Sequence, residues 1–149
     1  MERQFVIENR KERERLRQLV NGMTDEELNL VIYKEGWTIA VVLAHLAFWD
    51  QRALTLLRRW KKSGVTPSPS DSDTTNDALL PLILGLSPRI ASNLAVSSAD
   101  SVDHEVESAS SEFVKTIEGL NEPYRLNRSI HRKLHLDEIE ALLKTKRKK

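Results

Sequence analysis

The sequence predicts an all-α protein built as a four-helix bundle. Long segments repeat apolar residues at the three- and four-residue spacing of an amphipathic helix, and we find no strand pattern or internal repeat. Glycine, proline and serine separate these segments, as expected where helices end. With 149 residues, of which 40% are hydrophobic, the chain suits a single domain over residues 1–149 with an ordinary core.

The first predicted helix runs from Arg3 to Asn21 and has a partly polar inward face. At helical spacing that face carries Phe5, Asn9, Glu12, Leu16, Leu19 and Met23. The alternating charges at positions 10–15 fit a solvated surface with salt bridges better than a nucleic-acid patch, and Glu12 is the exception because it projects inward. A capping box at Thr24-Asp25-Glu26-Glu27 then starts a short helical turn.

The second predicted helix runs from Ile39 to Lys62, because Thr38 is a good N-cap and Ser63-Gly64 ends the helix. Residues 65–88 contain four prolines among many Ser, Asp and Thr residues, which predicts a long connection with one helical turn near residues 78–84. Connections of this length are typical of segments that cross a bundle or cover a site. This one permits the second and third helices to run parallel.

The third predicted helix covers Arg89 to Glu118, and the fourth runs from Pro123 to about Thr145. The inward stripe of the third helix is Ala91, Ala95, Ala99, Val102, Val106, Ala109, Phe113, Ile117 and Leu120. Its alanines either allow close helix packing or leave space for a substrate. His104 projects about 160° from Val106, so we exclude it as a metal ligand.

Composition and charge exclude several classes of function. The chain has no cysteine, which rules out a disulfide scaffold, a thiolate metal site and a cysteine nucleophile. The net charge of +1 includes a basic C-terminal tail at residues 143–149 with five positive charges, so the rest of the chain is mildly acidic. We expect neither nucleic acid nor a membrane as a partner. The absence of a signal pattern predicts a cytoplasmic protein, and a homodimer is compatible with the sequence.

Two histidines of the fourth predicted helix share one face. His131 and His135 form an H-x3-H pair, and residues four apart are vertical neighbours on a helix. Helical projection places them on the side of Leu134, Ile139 and Leu142. The pair is therefore predicted to lie in the apolar stripe that faces the bundle interior.

A third histidine, His45, projects inward from the second predicted helix. Its neighbours on the helical projection are Val41, Val42, Phe48, Trp49 and Leu56. A lone buried histidine is usually a core residue with a hydrogen-bond partner, whereas three inward histidines on two helices indicate a shared cation that satisfies one nitrogen of each ring. His45 lies seven residues after Thr38, and His135 lies seven before Leu142. If the two helices are antiparallel, both histidines sit about 10 Å from the same end of the bundle.

Glu12 is a candidate for a second role at this site. It lies about ten residues from the end of the first helix, within roughly one turn of the expected height of the metal. A buried carboxylate needs a partner. Glu12 either orients a ligand or acts as a general base beside the metal, or it pairs with Arg52 on the inner face of the second helix.

The segment Gly36–Asp50 (GWTIAVVLAHLAFWD), followed much later by His131-x3-His135-Leu136-x2-Ile139, resembles the DinB-like superfamily. That group includes YfiT-type metal-dependent hydrolases, the N-terminal domains of mycothiol-dependent maleylpyruvate isomerases and bacillithiol transferases. The resemblance spans nearly the whole chain. It implies an up-down-down-up four-helix bundle in which His45, His131 and His135 bind one divalent ion, zinc or nickel.

Three imidazoles and exchangeable water describe an open, catalytic type of metal site. A coordinated water can have its pKa lowered to roughly 7, and a coordinated thiol should deprotonate. The resemblance favours a low-molecular-weight thiol co-substrate that attacks a small-molecule electrophile, while hydrolysis of a small-molecule substrate stays open. The alternative is a non-catalytic helical bundle in which the metal stabilises the fold or the surface binds a partner.

Overall fold

Seven α-helices form in the computed structural model, which describes residues 2–34 and 36–148. In chain order they are α1 (Gln4–Gly22), α2 (Asp25–Leu28), α3 (Ile39–Ser63), α4 (Ser72–Ile83), α5 (Pro88–Glu107), α6 (Ser111–Glu118) and α7 (Ser129–Arg147). A 3-10 turn at Pro123–Arg125 precedes α7, and an isolated antiparallel bridge joins Val31 and Thr38. Over the described residues the all-α prediction is confirmed.

Side-chain caps fix the starts of α2 and α3. The Thr24 hydroxyl accepts from the Glu27 amide at 3.1 Å, and the Glu27 carboxylate accepts from the Thr24 amide at 3.0 Å, which completes the predicted capping box. Thr38 accepts from the Val41 amide at 3.2 Å and so caps α3 as expected. Gly64 ends α3 at a φ of 97°, a conformation that side chains other than glycine rarely adopt.

The buried core divides into two clusters along the long helices. The first joins the beginnings of α3 and α5 to the ends of α1 and α7, and includes Leu16, Val20, Val42, Leu46, Ala91, Ala95, Leu136 and Ile139. The second joins the ends of α3 and α5 to α6, and includes Leu54, Leu57, Trp60, Val102, Val106, Val114 and Ile117. The alanines of α5 pack close to α3, as small residues allow.

The third predicted helix is broken, so its prediction as one segment from Arg89 to Glu118 is wrong. The Ser108 hydroxyl donates to the carbonyl oxygens of His104 at 2.9 Å and Glu105 at 3.2 Å, which satisfies acceptors at the end of α5. Ser110 then accepts from the Phe113 amide at 3.1 Å and caps α6. Serine side chains thus replace backbone hydrogen bonds at the break, while the predicted inward stripe continues into α6.

The long connection contains a twelve-residue helix where one turn was predicted. Asp71 caps α4 by accepting from the Thr74 amide at 3.1 Å. Pro81 lies in the last turn of α4 and has no amide proton to donate to the carbonyl of Asp77, so α4 lacks one hydrogen bond two residues before it ends. The prolines and the many Ser, Thr and Asp residues concealed the helix, although Asp71 and Thr74 were a readable cap.

The fourth predicted helix begins later than its predicted start at Pro123. The chain first makes the 3-10 turn and enters α7 at Ser129. The Asn9 side chain of α1 fixes this entry, because it donates to the Leu126 carbonyl at 2.9 Å and accepts from the Ser129 amide at 2.9 Å. The polar inner face predicted for the first helix therefore anchors the beginning of α7.

By length and composition alone, α3 could cross a membrane, and it is the single helix of the described residues that could. Within the fold, 72% of its most apolar window is buried. This burial is what a central core helix shows, because the apolar surface is covered by the neighbouring helices.

Candidate metal centre

Three histidine rings from α3 and α7 meet through their Nε2 atoms. The Nε2 of His131 lies 3.0 Å from the Nε2 of His45 and 3.1 Å from the Nε2 of His135. The three potential ligand atoms all lie within 4.8 Å of one another. The structure therefore brings together the three histidines that the sequence predicts as a site, although 86 residues separate His45 from His131.

The spacing of these nitrogens fits a divalent metal ion. Zinc binds imidazole nitrogen at about 2.0–2.1 Å, and tetrahedral angles at that length separate two ligand nitrogens by about 3.3 Å. A cation could accept a lone pair from each of the three rings, and a fourth position would stay open to a small molecule. The same donor set suits zinc or nickel, because imidazole binds both.

Burial favours the neutral, metal-binding form of each ring. It lowers the pKa of His45 to about 4 and that of His131 to about 3. The positive charges of Arg128 and Arg132 act in the same direction on His131. Burial also lowers the pKa of His135. At neutral pH all three rings therefore have a lone pair free for a metal ion without first losing a proton.

Tyr33 orients His135 from outside the cluster. Its hydroxyl oxygen lies 2.6 Å from Nδ1 of His135, so a ring that binds metal through Nε2 donates its Nδ1 proton to this oxygen. Burial and the nearby Glu138 carboxylate raise the pKa of Tyr33, which keeps the phenol protonated. Sequence reasoning missed Tyr33, because it lies in a bend before α3 where helical periodicity predicts nothing.

A buried network of charged side chains lies beside the histidines. The Asp50 carboxylate on α3 pairs with Arg128 at 3.0 Å and with Arg132 at 3.2 Å. Arg132 also binds both oxygens of Asp103 at 2.8 Å, and Asp103 pairs with Arg13 at 3.0 Å. Arg132 and Asp103 are fully buried. Burial raises the pKa of Asp103, while its hydrogen bonds with Arg132 oppose that rise.

This network fixes α7 against the helix that carries His45. Arg128 directly precedes α7, Arg132 follows His131 on that helix, and Asp50 lies five residues after His45 on α3. Sequence reasoning missed all of these charges. A readable signal existed for Arg132, which lies four and seven residues before the buried Leu136 and Ile139 and so shares their face.

The histidine pair lies at the border of the buried face of α7. The predicted apolar stripe included Leu134, which is 57% exposed, so this part of the prediction is wrong. The buried face comprises Ser129, Arg132, Leu136, Ile139 and Leu143. Arg132 occupies the centre that the prediction gave to the histidines. His131 and His135 are consequently half-buried and face a cleft, which leaves the site accessible.

Glu12 is buried, but its partner differs from the one considered from the sequence. Its carboxylate accepts from Arg15 on the next turn at 2.8 Å. Arg52 instead donates to the carbonyl and hydroxyl oxygens of Ser68, so the predicted Glu12–Arg52 pair is wrong. Glu12 and His131 both line a groove between α1 and α7. A catalytic part for Glu12 stays a prediction.

The three histidines open into a cleft of about 780 Å³. Residues from α4 and the segment before it form one wall, namely Pro69, Ser70, Ser72, Asp73, Asn76 and Asp77. The other walls include Tyr33, Trp37, Trp49, Arg52, Tyr124 and Arg125. Trp49 donates to the Asn76 side chain at 2.9 Å, which ties α4 to α3 beside the site. The long connection thus contributes to a site, one of the two uses expected of it.

The chain is similar to a known protein family over most of its length. The family model of the DinB superfamily matches residues 8–141. No curated protein and no solved structure matches the chain. The matched range contains all three histidines and most of the described helices.

Proposed function

The chain belongs to the DinB superfamily, and on this basis we propose that it is a metal-dependent enzyme with one zinc or nickel ion per chain. His45, His131 and His135 would hold the ion through their Nε2 atoms. The reaction is the transfer of a low-molecular-weight thiol to a small-molecule electrophile. The observation that carries the proposal is the convergence of three imidazole rings at the edge of an open cleft.

The chemistry follows from the donor set. A divalent ion held by His45, His131 and His135 would keep its full charge, and the chemistry it would supply is a lowered pKa for a thiol that binds beside the three imidazoles. The chain has no cysteine, so the thiol must come from a co-substrate. Trp37 and Trp49 lie beside His45 in T-shaped arrangements, at centroid distances of 5.6 and 6.5 Å, and both rings line the cleft.

The same site supports a second reaction, hydrolysis of a small-molecule substrate. An open three-nitrogen site activates water by the same lowering of pKa. Glu12 is our candidate for a general base or for a residue that orients a ligand, and its groove includes His131. A third possibility is a non-catalytic bundle that the metal stabilises, and the experiment below separates the three.

We also propose an up-down-down-up order for α1, α3, α5 and α7. It is supported by the first core cluster, in which the beginnings of α3 and α5 meet the ends of α1 and α7. The whole of residues 1–149 would form one domain.

The cleft volume suits a small molecule rather than nucleic acid. Cytoplasmic location and homodimer formation are further proposals from the sequence.

Cobalt substitution tests the proposed function without knowledge of the electrophile. Thiolate ligation to cobalt gives a strong near-ultraviolet charge-transfer band, and we expect such a band on titration with one of bacillithiol, mycothiol, glutathione or cysteine. The His135→Ala variant should give none. Cleavage of an ester or amide with a pH profile that rises near 7, in the absence of any band, would assign a hydrolase. No response of either kind would leave the non-catalytic bundle.

A further inference from the structure

We infer that the cleft has a second binding position, formed by Arg52 and Arg125, for an anionic group of the molecule that binds the metal. This inference rests on the proposed function and names its substrate class. The molecule would carry a metal-binding atom at one end and a carboxylate or phosphate at the other. Both arginines line the cleft that contains the three histidines.

Helical geometry relates Arg52 to the metal site. Arg52 follows His45 by seven residues on α3, which places both side chains on nearly the same face and about 10 Å apart along the helix axis. A ligand that lies along α3 in the cleft can therefore meet the histidines and Arg52 at once. This separation corresponds to a small molecule several bonds long, rather than to a single ion.

The two guanidinium groups are held together by one carbonyl oxygen. Nη2 of Arg52 and Nη2 of Arg125 both donate to the Ser68 carbonyl, at 3.2 and 2.9 Å. Arg52 also donates to the Ser68 hydroxyl at 2.9 Å. The Arg125 guanidinium lies over the Tyr124 ring at 4.9 Å, which holds it in place. The two guanidinium groups are therefore held in place before any ligand binds.

The charges of this pair are only partly balanced. Arg125 pairs with Glu122 at 2.8 Å, whereas among residues 2–34 and 36–148 no carboxylate lies within ion-pair distance of Arg52. Burial and the charge of Arg125 both lower the pKa of Arg52. By contrast, Arg128 in the same cleft is neutralised by Asp50. An anion beside Arg52 would relieve the repulsion between the two guanidinium groups.

The geometry of guanidinium selects the kind of anion. Its planar fork donates two parallel hydrogen bonds to a carboxylate or a phosphate, which a single ammonium group cannot do. Three carboxylates line the same cleft: Glu122 pairs with Arg125, and Asp73 and Asp77 on α4 could compete with a ligand for Arg52. A ligand can bind Arg52 only if neither of these two aspartates pairs with its guanidinium group.

A pair of matched thiols tests the inference on cobalt-loaded protein. We would titrate 6-mercaptohexanoate and the uncharged 6-mercaptohexanol and follow the charge-transfer band. The carboxylate should bind about tenfold more tightly. Arg52→Gln should remove this advantage, Arg52→Lys should retain part of it, and Arg58→Gln should keep it in full, because Arg58 is an exposed residue of the same helix.

The outcomes separate this inference from the proposed function. A band with both thiols at equal affinity in the unchanged protein overturns the anion position and leaves thiol ligation intact. Tighter binding of the carboxylate thiol that appears only in Asp73→Asn or Asp77→Asn also overturns the anion position, because it shows that in the unchanged protein one of these carboxylates already pairs with Arg52. If neither of these thiols gives a band, and bacillithiol, mycothiol, glutathione and cysteine give none either, the proposed thiol chemistry fails. The anion position is then tested on metal-free protein. Millimolar phosphate at constant ionic strength should raise the Tm of the unchanged protein more than the Tm of Arg52→Gln. An equal rise in the two proteins contradicts the inference.

Discussion

The Nε2 atoms of His45 on α3 and His131 on α7 lie 3.0 Å apart. A buried and a half-buried imidazole at this distance are either a hydrogen-bonded pair or two ligands of one ion. The third ring, His135, brings its Nε2 within 3.1 Å of the same atom of His131, which favours the ion because one cation satisfies all three.

The first prediction concerns pH and the metal-free protein. The pKa of His45 is about 4 and that of His131 about 3 in the fold, below the ordinary value of about 6.5. The unfolded chain therefore binds protons first, and stability that is full above pH 6.5 should fall as the pH drops from about 6.5 to 3. His45 alone should contribute about 3 kcal/mol to this loss, measurable by urea unfolding at each pH.

His104→Ala is the control for this titration, because His104 is exposed and its removal should leave the pH dependence unchanged. His45→Ala should instead flatten the loss of stability between pH 6.5 and 4. An unchanged slope in His45→Ala would contradict the burial of a neutral ring at this position.

Tyr33→Phe should weaken metal binding without disturbing the fold. The change removes the oxygen that accepts from Nδ1 of His135, and loss of such an orienting partner typically costs about 10- to 100-fold in metal affinity. Zinc affinity measured by competition with a chelator tests it. Tyr124→Phe is the matched control, because Tyr124 is similarly exposed and lines the same cleft. Equal affinities for the two variants would remove Tyr33 from the site.

Asp50→Asn should destabilise the protein strongly. The substitution leaves Arg128 without its carboxylate partner and Arg132 with one partner fewer, both in the buried interior, and breaking a buried pair costs roughly 3–5 kcal/mol. Asp100→Asn, which removes partly exposed pairs with Arg17 at 2.8 Å and with Arg13 at 3.7 Å, should cost no more than about 1 kcal/mol. Urea unfolding compares the two. Similar costs would show that Asp50 does not fix α7 on α3.

Glu12 should couple energetically to Arg15 and not to Arg52. A double-mutant cycle on Glu12 and Arg15 should give about 0.5 kcal/mol or more, because the two side chains form a part-buried ion pair. The same cycle with Arg52 should give no coupling.

If Glu12 also acts beside the metal, Glu12→Gln should alter the pH dependence of zinc affinity. An unchanged profile would remove Glu12 from the candidate site.

Much of this architecture could be predicted from helical periodicity. The period places His45, His131 and His135 toward the interior, and the caps at Thr24 and Thr38 predict two helix starts. The alanine stripe of α5 is also buried as predicted. These features depend on local sequence, which is why one chain suffices to find them.

Other features depend on contacts between distant residues. Tyr33 reaches His135 from a bend, and no spacing rule relates positions 102 residues apart. Arg132 was missed because an arginine at a core position is unexpected until Asp50 and Asp103 are seen to neutralise it. The break between α5 and α6 was missed because serine side chains replace the backbone hydrogen bonds there.

The metal content of the protein, purified without added metal or a nickel column, tests the central claim most directly. We predict one zinc or nickel ion per chain by elemental analysis. His45→Ala and His135→Ala should lose it with their helical circular dichroism preserved, and His104→Ala should keep it. If His45→Ala and His135→Ala both bind zinc and nickel with full affinity, these histidines do not form the metal site.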